Sequence, residues 1–226
     1  MNDNNDNTPD WQFVAAQLRQ PNGEFATEIG QRMNVSNLQI HQFTFDELQL
    51  QSDLEILEIG MGNGHFVKEL FKLNPDLTYT GIDYSKEMVE ASKAVNTDLC
   101  EQNKVQFLHC AIDELPFSEP IYDRIFTINT LYFWPDPDIT LSNIKRLLKP
   151  DGFLTIAIRP KHIMEHHPFT AFGFTLYSRE DACRLLEKNG FNIVSVSEKK
   201  EAGTNGISDE VLTFESLIIT AEKQTI

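Results

Sequence analysis

Apolar residues along the chain change their spacing twice, and the changes divide it into three stretches. From about residue 10 to 52 they recur every three or four positions, the period of a helix with one buried face. Asp10 is placed to cap a helix that runs to Arg19, and Pro21-Asn22-Gly23 breaks it. Phe25, Ile29 and Met33 mark a second helix, and Ser36 is placed to cap a third that carries Leu38, Phe43 and Leu48.

From about residue 53 to 160 short apolar runs alternate with helical patterns. Leu54–Ile59, Leu77–Ile82, Val105–Cys110, Arg124–Asn129 and Phe153–Ile158 read as strands. Between them, His65–Leu73 carries Phe66, Leu70 and Leu73 on one face, Ser85 caps a helix bearing Met88, Ala91 and Val95, and Ile139–Leu148 is helical until Lys149-Pro150-Asp151-Gly152 ends it. Alternation at this spacing implies a parallel sheet with helices on both faces. The last stretch opens with a loop, Arg159–Phe174. Ser178-Arg179-Glu180-Asp181 forms a capping box for a helix to Lys188, Gly190 closes it, and Phe191–Val196 and Val211–Ala221 are strands joined by a polar surface loop over Glu198–Glu210.

The expected architecture is therefore α/β: a Rossmann-like doubly wound sheet, mostly parallel with an antiparallel last strand, under an N-terminal helical cap. Residues 1–9 read as a disordered tail and 10–226 as one domain, with 10–52 the cap and 53–226 the α/β core. A chain of 226 residues is long enough to bury one sizeable core.

Charge narrows the partners. The formal net charge is -15, which repels polyanions, so the expectation is no nucleic acid and no anionic membrane surface. No apolar run approaches the roughly 18 residues of a membrane span, and Met1–Thr8 lacks the basic start and apolar run of a signal peptide. Cys100, Cys110 and Cys183 form neither a disulfide framework nor a zinc-ligand spacing, which fits a reducing cytoplasm and no metal.

The chemistry concentrates after the first strand. Glycines at 60, 62 and 64 let the chain turn sharply into a helix and bring backbone N–H groups close to a ligand. A dinucleotide fingerprint needs a small residue at position 65, where this chain has His65; that weighs against a nicotinamide oxidoreductase. Glu58, in an apolar strand end, needs donors from the loop or a cationic ligand. Asp83 ends the second strand about 20 residues past the first glycine, where a carboxylate accepts both hydroxyls of a ribose.

These segments resemble the motifs of class I S-adenosylmethionine-dependent methyltransferases. Leu57-Glu58-Ile59-Gly60-Met61-Gly62-Asn63-Gly64 is similar to the first motif, and Gly81-Ile82-Asp83-Tyr84-Ser85-Lys86-Glu87-Met88 to the acidic-strand motif. Asp113-Glu114-Leu115-Pro116-Phe117, Tyr122–Phe126 through Trp134-Pro135-Asp136-Pro137, and Leu147-Leu148-Lys149-Pro150-Asp151-Gly152 follow in the family's order. The likeness runs from about Asp53 to Val196 and is nearest in flavour to ubiquinone/menaquinone-biosynthesis methyltransferases, which act on small molecules.

The resemblance implies roles. Gly60, Met61, Gly62 and Gly64 would pass under the methionine portion of S-adenosylmethionine, with Glu58 beside them. Asp83 would hold the ribose, and Tyr84 and Met88 would sit against adenine with Ala111 and Ile112 at its edge. Asn129 would lie near the methionine ammonium. Family members often carry Asp at the position of Ala111, where it accepts from the adenine amino group. Its loss removes one hydrogen bond, worth roughly 1 kcal/mol, and leaves Asp113 or backbone to take over.

Methyl transfer from a sulfonium is an in-line displacement that needs alignment and a dry site, and a base only where the acceptor carries a proton. Tyr132, Phe133 and Trp134 follow the fourth strand and can stack on a flat small-molecule acceptor. Candidate bases are Tyr132, His162 and His166, with His167 beside them in the loop after the fifth strand; Asn34 and Asn37 can close the site from the cap. A monomer or homodimer is expected. Ala111 also leaves open a non-catalytic module that binds S-adenosylmethionine or S-adenosylhomocysteine without transferring the methyl group.

Overall fold

The computed structural model describes residues 9–117, 119–204 and 211–224; the expected tail lies almost wholly outside them. Three helices come first: α1 (Trp11–Arg19), α2 (Ala26–Ser36) and α3 (Leu38–Glu47). Asp10 caps α1, its Oδ1 accepting from the Phe13 N–H at 3.0 Å. Ser36 does not cap α3. It ends α2, and Asn37 stands between the two helices with no capping bond from its side chain. The buried face of α3 is Ile40, His41, Thr44 and Phe45, while Leu38 is 45% exposed. The helix is rotated from the face expected on apolar residues alone, and His41 and Thr44 can be buried on it because each bonds the carbonyl four residues back, at Asn37 and Ile40.

The core then alternates β1 (Glu55–Ile59), α4 (Val67–Leu73), β2 (Thr78–Asp83), α5 (Lys86–Val95), α6 (Thr97–Glu101), β3 (Val105–His109), β4 (Tyr122–Ile128), α7 (Pro137–Leu147) and β5 (Leu148–Ile158). Next come α8 (Lys161–Met164), α9 (Arg179–Lys188), β6 (Phe191–Thr204) and β7 (Val211–Lys223). Ser85 caps α5 and the box Ser178/Asp181 opens α9, as the side-chain pattern requires. The sheet has the order β3-β2-β1-β4-β5-β7-β6. The first five strands run parallel, and β7 is antiparallel to both β5 and β6. This is the expected Rossmann-like sheet.

Three local expectations are corrected. The segment expected as a loop from Glu198 is strand as far as Thr204, its backbone continuing the antiparallel ladder with β7 at the edge of the sheet, a pairing that local polarity does not reveal; residues 205–210 lie outside the described ones. Strand β5 begins at Leu148, directly after α7, with an irregular register opposite Tyr122 and Arg124. The expected loop 159–174 contains the short helix α8 and a turn of 3₁₀ helix at Pro168–Ala171.

Alternate residues of the central strands feed two apolar layers. Leu57, Ile125 and Ile156 face α7 and α9, whereas Ile56, Phe126 and Ala157 face α3 and α4. Buried Arg124 bonds the Leu48 carbonyl at 2.7 Å through Nε and lies over the Phe153 ring, tying the end of the helical cap to the sheet. Strand order reverses between β1 and β4, so a crevice opens at their carboxyl ends, where open α/β sheets bind ligands.

Candidate functional site

A cleft occupies that crevice. Its floor is the turn after β1, its sides are the ends of β2, β3 and β4, and α1–α3 roof it.

The turn needs its glycines for two separate reasons. Gly60 has φ +76, and a Cβ there would collide with the Thr130 side chain, so the β4 loop closes on it. Gly62, also left-handed at φ +59, faces open space, and its bare backbone lines the cleft. Gly64 instead faces away from the cleft, packed against Ser92 and Asn96 of α5. Asp83 reaches the same turn. Its Oδ2 accepts from the Gly62 N–H at 2.9 Å and its Oδ1 from the Ser85 N–H at 2.8 Å. Burial raises the Asp83 pKa and these two bonds work against that rise. Each oxygen keeps a further lone pair for a ligand hydroxyl.

Of the residues expected at the site, Gly60, Met61, Gly62, Asp83, Tyr84, Met88, Ala111, Ile112, Asn129, Asn37 and Trp134 line the cleft. Glu58, Gly64, Asn34, Tyr132, His162 and His166 do not. Tyr132 is 3% exposed; its hydroxyl accepts from the Arg159 N–H at 2.6 Å and donates to the Arg159 carbonyl at 2.9 Å. Burial drives its pKa upward, so it stays a neutral phenol. His162 is exposed and pairs with Glu215 at 2.8 Å, and His166 is exposed beside it in the same loop. The Asp113 side chain is exposed and off the cleft wall, while Glu114 Oε2 takes the Ala111 N–H at 2.7 Å. His65 is exposed, outside the cleft.

The cap supplies residues that the sequence reading did not place at the site: Leu18, Arg19, Pro21, Met33 and His41. Phe66, Cys110 and Thr130 join them from the core. Ile40, Thr44 and Leu48 recur at i, i+4 and i+8, a signal for the true inner face of α3 that carries His41 with it. His41 stacks on Phe66 with centroids 3.8 Å apart. Its Nδ1 bonds the Asn37 carbonyl at 2.8 Å; a carbonyl only accepts, so Nδ1 carries the proton and Nε2 keeps a lone pair. Nε2 lies 4.0 Å from Glu58 Oε1. Burial lowers the His41 pKa to about 3, partly opposed by the Asn37 bond. Burial likewise raises Glu58 to about 7, while the Tyr79 hydroxyl, donating at 2.5 Å, works against the rise. Just past the end of β3, burial pushes the Cys110 thiol up to about 11.

A bare glycine backbone, a carboxylate with spare lone pairs, and an apolar slot between Tyr84, Met88 and Ile112 together fit a purine nucleoside with a charged tail. Among the described residues no cluster of metal-ligating side chains is present, and no helix is long and apolar enough to cross a membrane.

Comparison with known proteins agrees with the geometry. Residues 50–205 match the model of a family described as a methyltransferase domain. The uncharacterized methyltransferase YdaC of Bacillus subtilis is 28% identical over 133 residues, covering 58% of this chain and 71% of the relative. The O-methyltransferase cnsE of Penicillium expansum is 28% identical over 152 residues, covering 65% of this chain and 55% of the relative. Among solved structures, the fold is shared with a chain of a Haloferax volcanii complex between the Trm112 methyltransferase activator and a methyltransferase. The TM-score is 0.74 at 18% identity, over 96% of this chain and 99% of that one.

Proposed function

The chain belongs to the methyltransferase domain family, and from that premise we propose that it methylates a small-molecule acceptor held between the β4 loop and the helical cap. It is an S-adenosylmethionine-dependent methyltransferase. The cofactor supplies a methyl group on a sulfonium, already activated for displacement. The chain's task is to bind, orient and exclude water.

In this reading the Gly60–Gly62 backbone lies under the methionine portion, Asp83 holds the ribose hydroxyls, and Tyr84, Met88, Ala111 and Ile112 bracket the adenine. Phe133, Trp134 and Pro135, which follow Asn129 and Thr130 in the loop after β4, also line the cleft and supply apolar surface suited to a flat acceptor. The observation that carries the proposal is the shared cleft: cofactor-type groups and this apolar surface line one space under one roof.

The titratable groups of the cleft favour catalysis by alignment. His41 is held neutral and weakly basic by burial, the Cys110 thiol is held protonated, and Asp83 is committed to two backbone donors. His41 and Cys110 are thus both far from the near-neutral pKa that suits a general base. The candidates His162 and His166 stand outside the cleft. An acceptor that reacts without enzymatic deprotonation, or as the ionised form it already has in solution, suits this site. The net charge of -15 weighs against nucleic-acid acceptors, and three free thiols suit the cytoplasm; a monomer or homodimer suffices for a cleft lined by one chain.

Transfer of a labelled methyl group across a panel of small aromatic and quinone-like acceptors tests the proposal. Turnover with any member that is suppressed by Phe133→Ala supports it. Cofactor binding without transfer to any small molecule, alongside transfer to RNA or protein, would sink it.

A further inference from the structure

A single buried guanidinium decides which atoms two asparagines present to the cleft. Arg159 follows the last residue of β5 and is 8% exposed. Its Nη1 donates to Asn37 Oδ1 at 3.1 Å, and its Nη2 donates to the Ser36 carbonyl at 2.7 Å and to Glu201 Oε2 at 2.8 Å. Glu201 Oε1 accepts from the Ser216 hydroxyl at 2.5 Å, and the guanidinium lies 4.9 Å from the centroid of Phe214. One cation therefore joins the α2–α3 junction, the end of β5 and the final hairpin.

A guanidinium has donors and no acceptor. The Asn37 atom facing it must then be the oxygen, which leaves the Asn37 amide nitrogen free to donate. Asn37 Oδ1 takes its second bond at 3.2 Å from Asn129. That partner must be the Asn129 nitrogen, so the Asn129 oxygen is left as an acceptor. The Tyr132 hydroxyl has one proton and two candidate acceptors, the Arg159 carbonyl at 2.9 Å and Asn129 Oδ1 at 3.2 Å. The nearer carbonyl takes the larger share, and Asn129 Oδ1 keeps acceptor capacity. Both asparagines line the cleft beside the glycine turn.

We propose that Arg159 is a positioning residue that orients Asn37 as a donor and Asn129 as an acceptor, so that together they recognise the zwitterionic amino-acid end of the cofactor. Asn37 offers an N–H to the α-carboxylate, and Asn129 offers an oxygen to the α-ammonium. The proposal rests on the cofactor reading of the cleft. It gives the buried pair Arg159–Glu201 a purpose beyond stability, for which such pairs are weak evidence. The same contacts seat the α2–α3 junction over the site, so cap position and amide orientation depend on one residue.

Two ligands separate this role from a structural one. S-adenosylhomocysteine carries the amino-acid end, and 5′-methylthioadenosine keeps adenosine and sulfur without it. Titration calorimetry of the full chain with each ligand is the experiment. Arg159→Met paired with Glu201→Met removes both charges together. Asn37→Asp keeps an oxygen towards Arg159 but deletes the donor. For each variant S-adenosylhomocysteine affinity is expected to fall about tenfold or more, while methylthioadenosine affinity stays within about twofold of wild type. Should the double variant fail to fold, Asn37→Asp alone carries the test. Equal losses for both ligands, or no loss for either, would overturn the proposal while leaving the cofactor assignment standing. A wild-type chain that binds neither ligand overturns both.

Discussion

The Asp83 carboxylate accepts from the Gly62 amide at 2.9 Å, joining the end of β2 to the turn after β1 across 21 residues of sequence. The bond pins the turn and holds the carboxylate on the cleft wall at once. Asp83→Ala frees the turn and, in the proposed cofactor site, removes the carboxylate assigned to the ribose hydroxyls. The affinity for S-adenosylhomocysteine is expected to fall by about 10- to 100-fold, the range for hydrogen bonds to a charged group. Titration calorimetry reads this directly, and an unchanged affinity would remove Asp83 from the site.

Gly60→Ala meets two obstacles: a left-handed backbone, costing about 1–2 kcal/mol, and the Thr130 methyl. Thr130→Ser deletes that methyl and keeps the hydroxyl that accepts from Trp134 Nε1 at 3.2 Å. Gly60→Ala alone is expected to lower the melting temperature and abolish cofactor binding. The pair Gly60→Ala/Thr130→Ser should recover part of the stability, because only the clash is relieved. Identical melting temperatures for the single and double variants would refute the clash.

His41 and Glu58 give stability opposite slopes with pH. His41 is held neutral, its pKa lowered to about 3. Between about pH 3 and 6.5 the unfolded chain takes up a proton that the native one refuses, so this contribution is lost as pH falls. Glu58 keeps its proton up to about pH 7. The unfolded chain releases that proton from about pH 4.5 upward, so this contribution is lost as pH rises. The two effects largely cancel between about pH 4.5 and 6.5. His41→Gln should expose the Glu58 slope, with stability falling by roughly 1 kcal/mol per pH unit across that window. Urea unfolding at a series of pH values checks it; a flat profile in the variant would contradict the burial of Glu58.

Phe133 lines the cleft and contacts Phe174 at 4.6 Å between centroids. Phe133→Ala is expected to raise the acceptor KM about tenfold or more, the scale of one lost aromatic contact. S-adenosylhomocysteine affinity should change little. Steady-state kinetics with calorimetry separates the two, and parallel losses would place Phe133 at the cofactor instead.

Much of the site was legible because strand ends and glycine spacing are local signals. Gly60, Gly62, Asp83, Ala111 and Asn129 all follow strands whose apolar runs are plain in the sequence, and all line one cleft. Glu58 and Gly64 belong to the same motif yet lie off the cleft: Glu58 points to Tyr79 because successive strand residues face opposite sides, and Gly64 sits in the turn against Ser92 and Asn96. Periodicity also misplaced the inner face of α3. It weighs only apolar residues, and His41 and Thr44 are buried through hydrogen bonds.

The sequence by itself determined the alternation of strands and helices and the charge that weighs against polyanionic acceptors, since period and net charge are properties of a linear chain; the cofactor class came from the resemblance of five ordered motifs to a known family, the glycine turn alone being too common a feature to decide it. Tertiary structure decided what roofs the cleft and which way its amides turn. Arg159 stands 122 residues from Asn37 and 42 from Glu201, and no spacing rule relates them. Only the closing of the cap onto the sheet brings a donor-only cation against an asparagine oxygen, and that contact orients the rest.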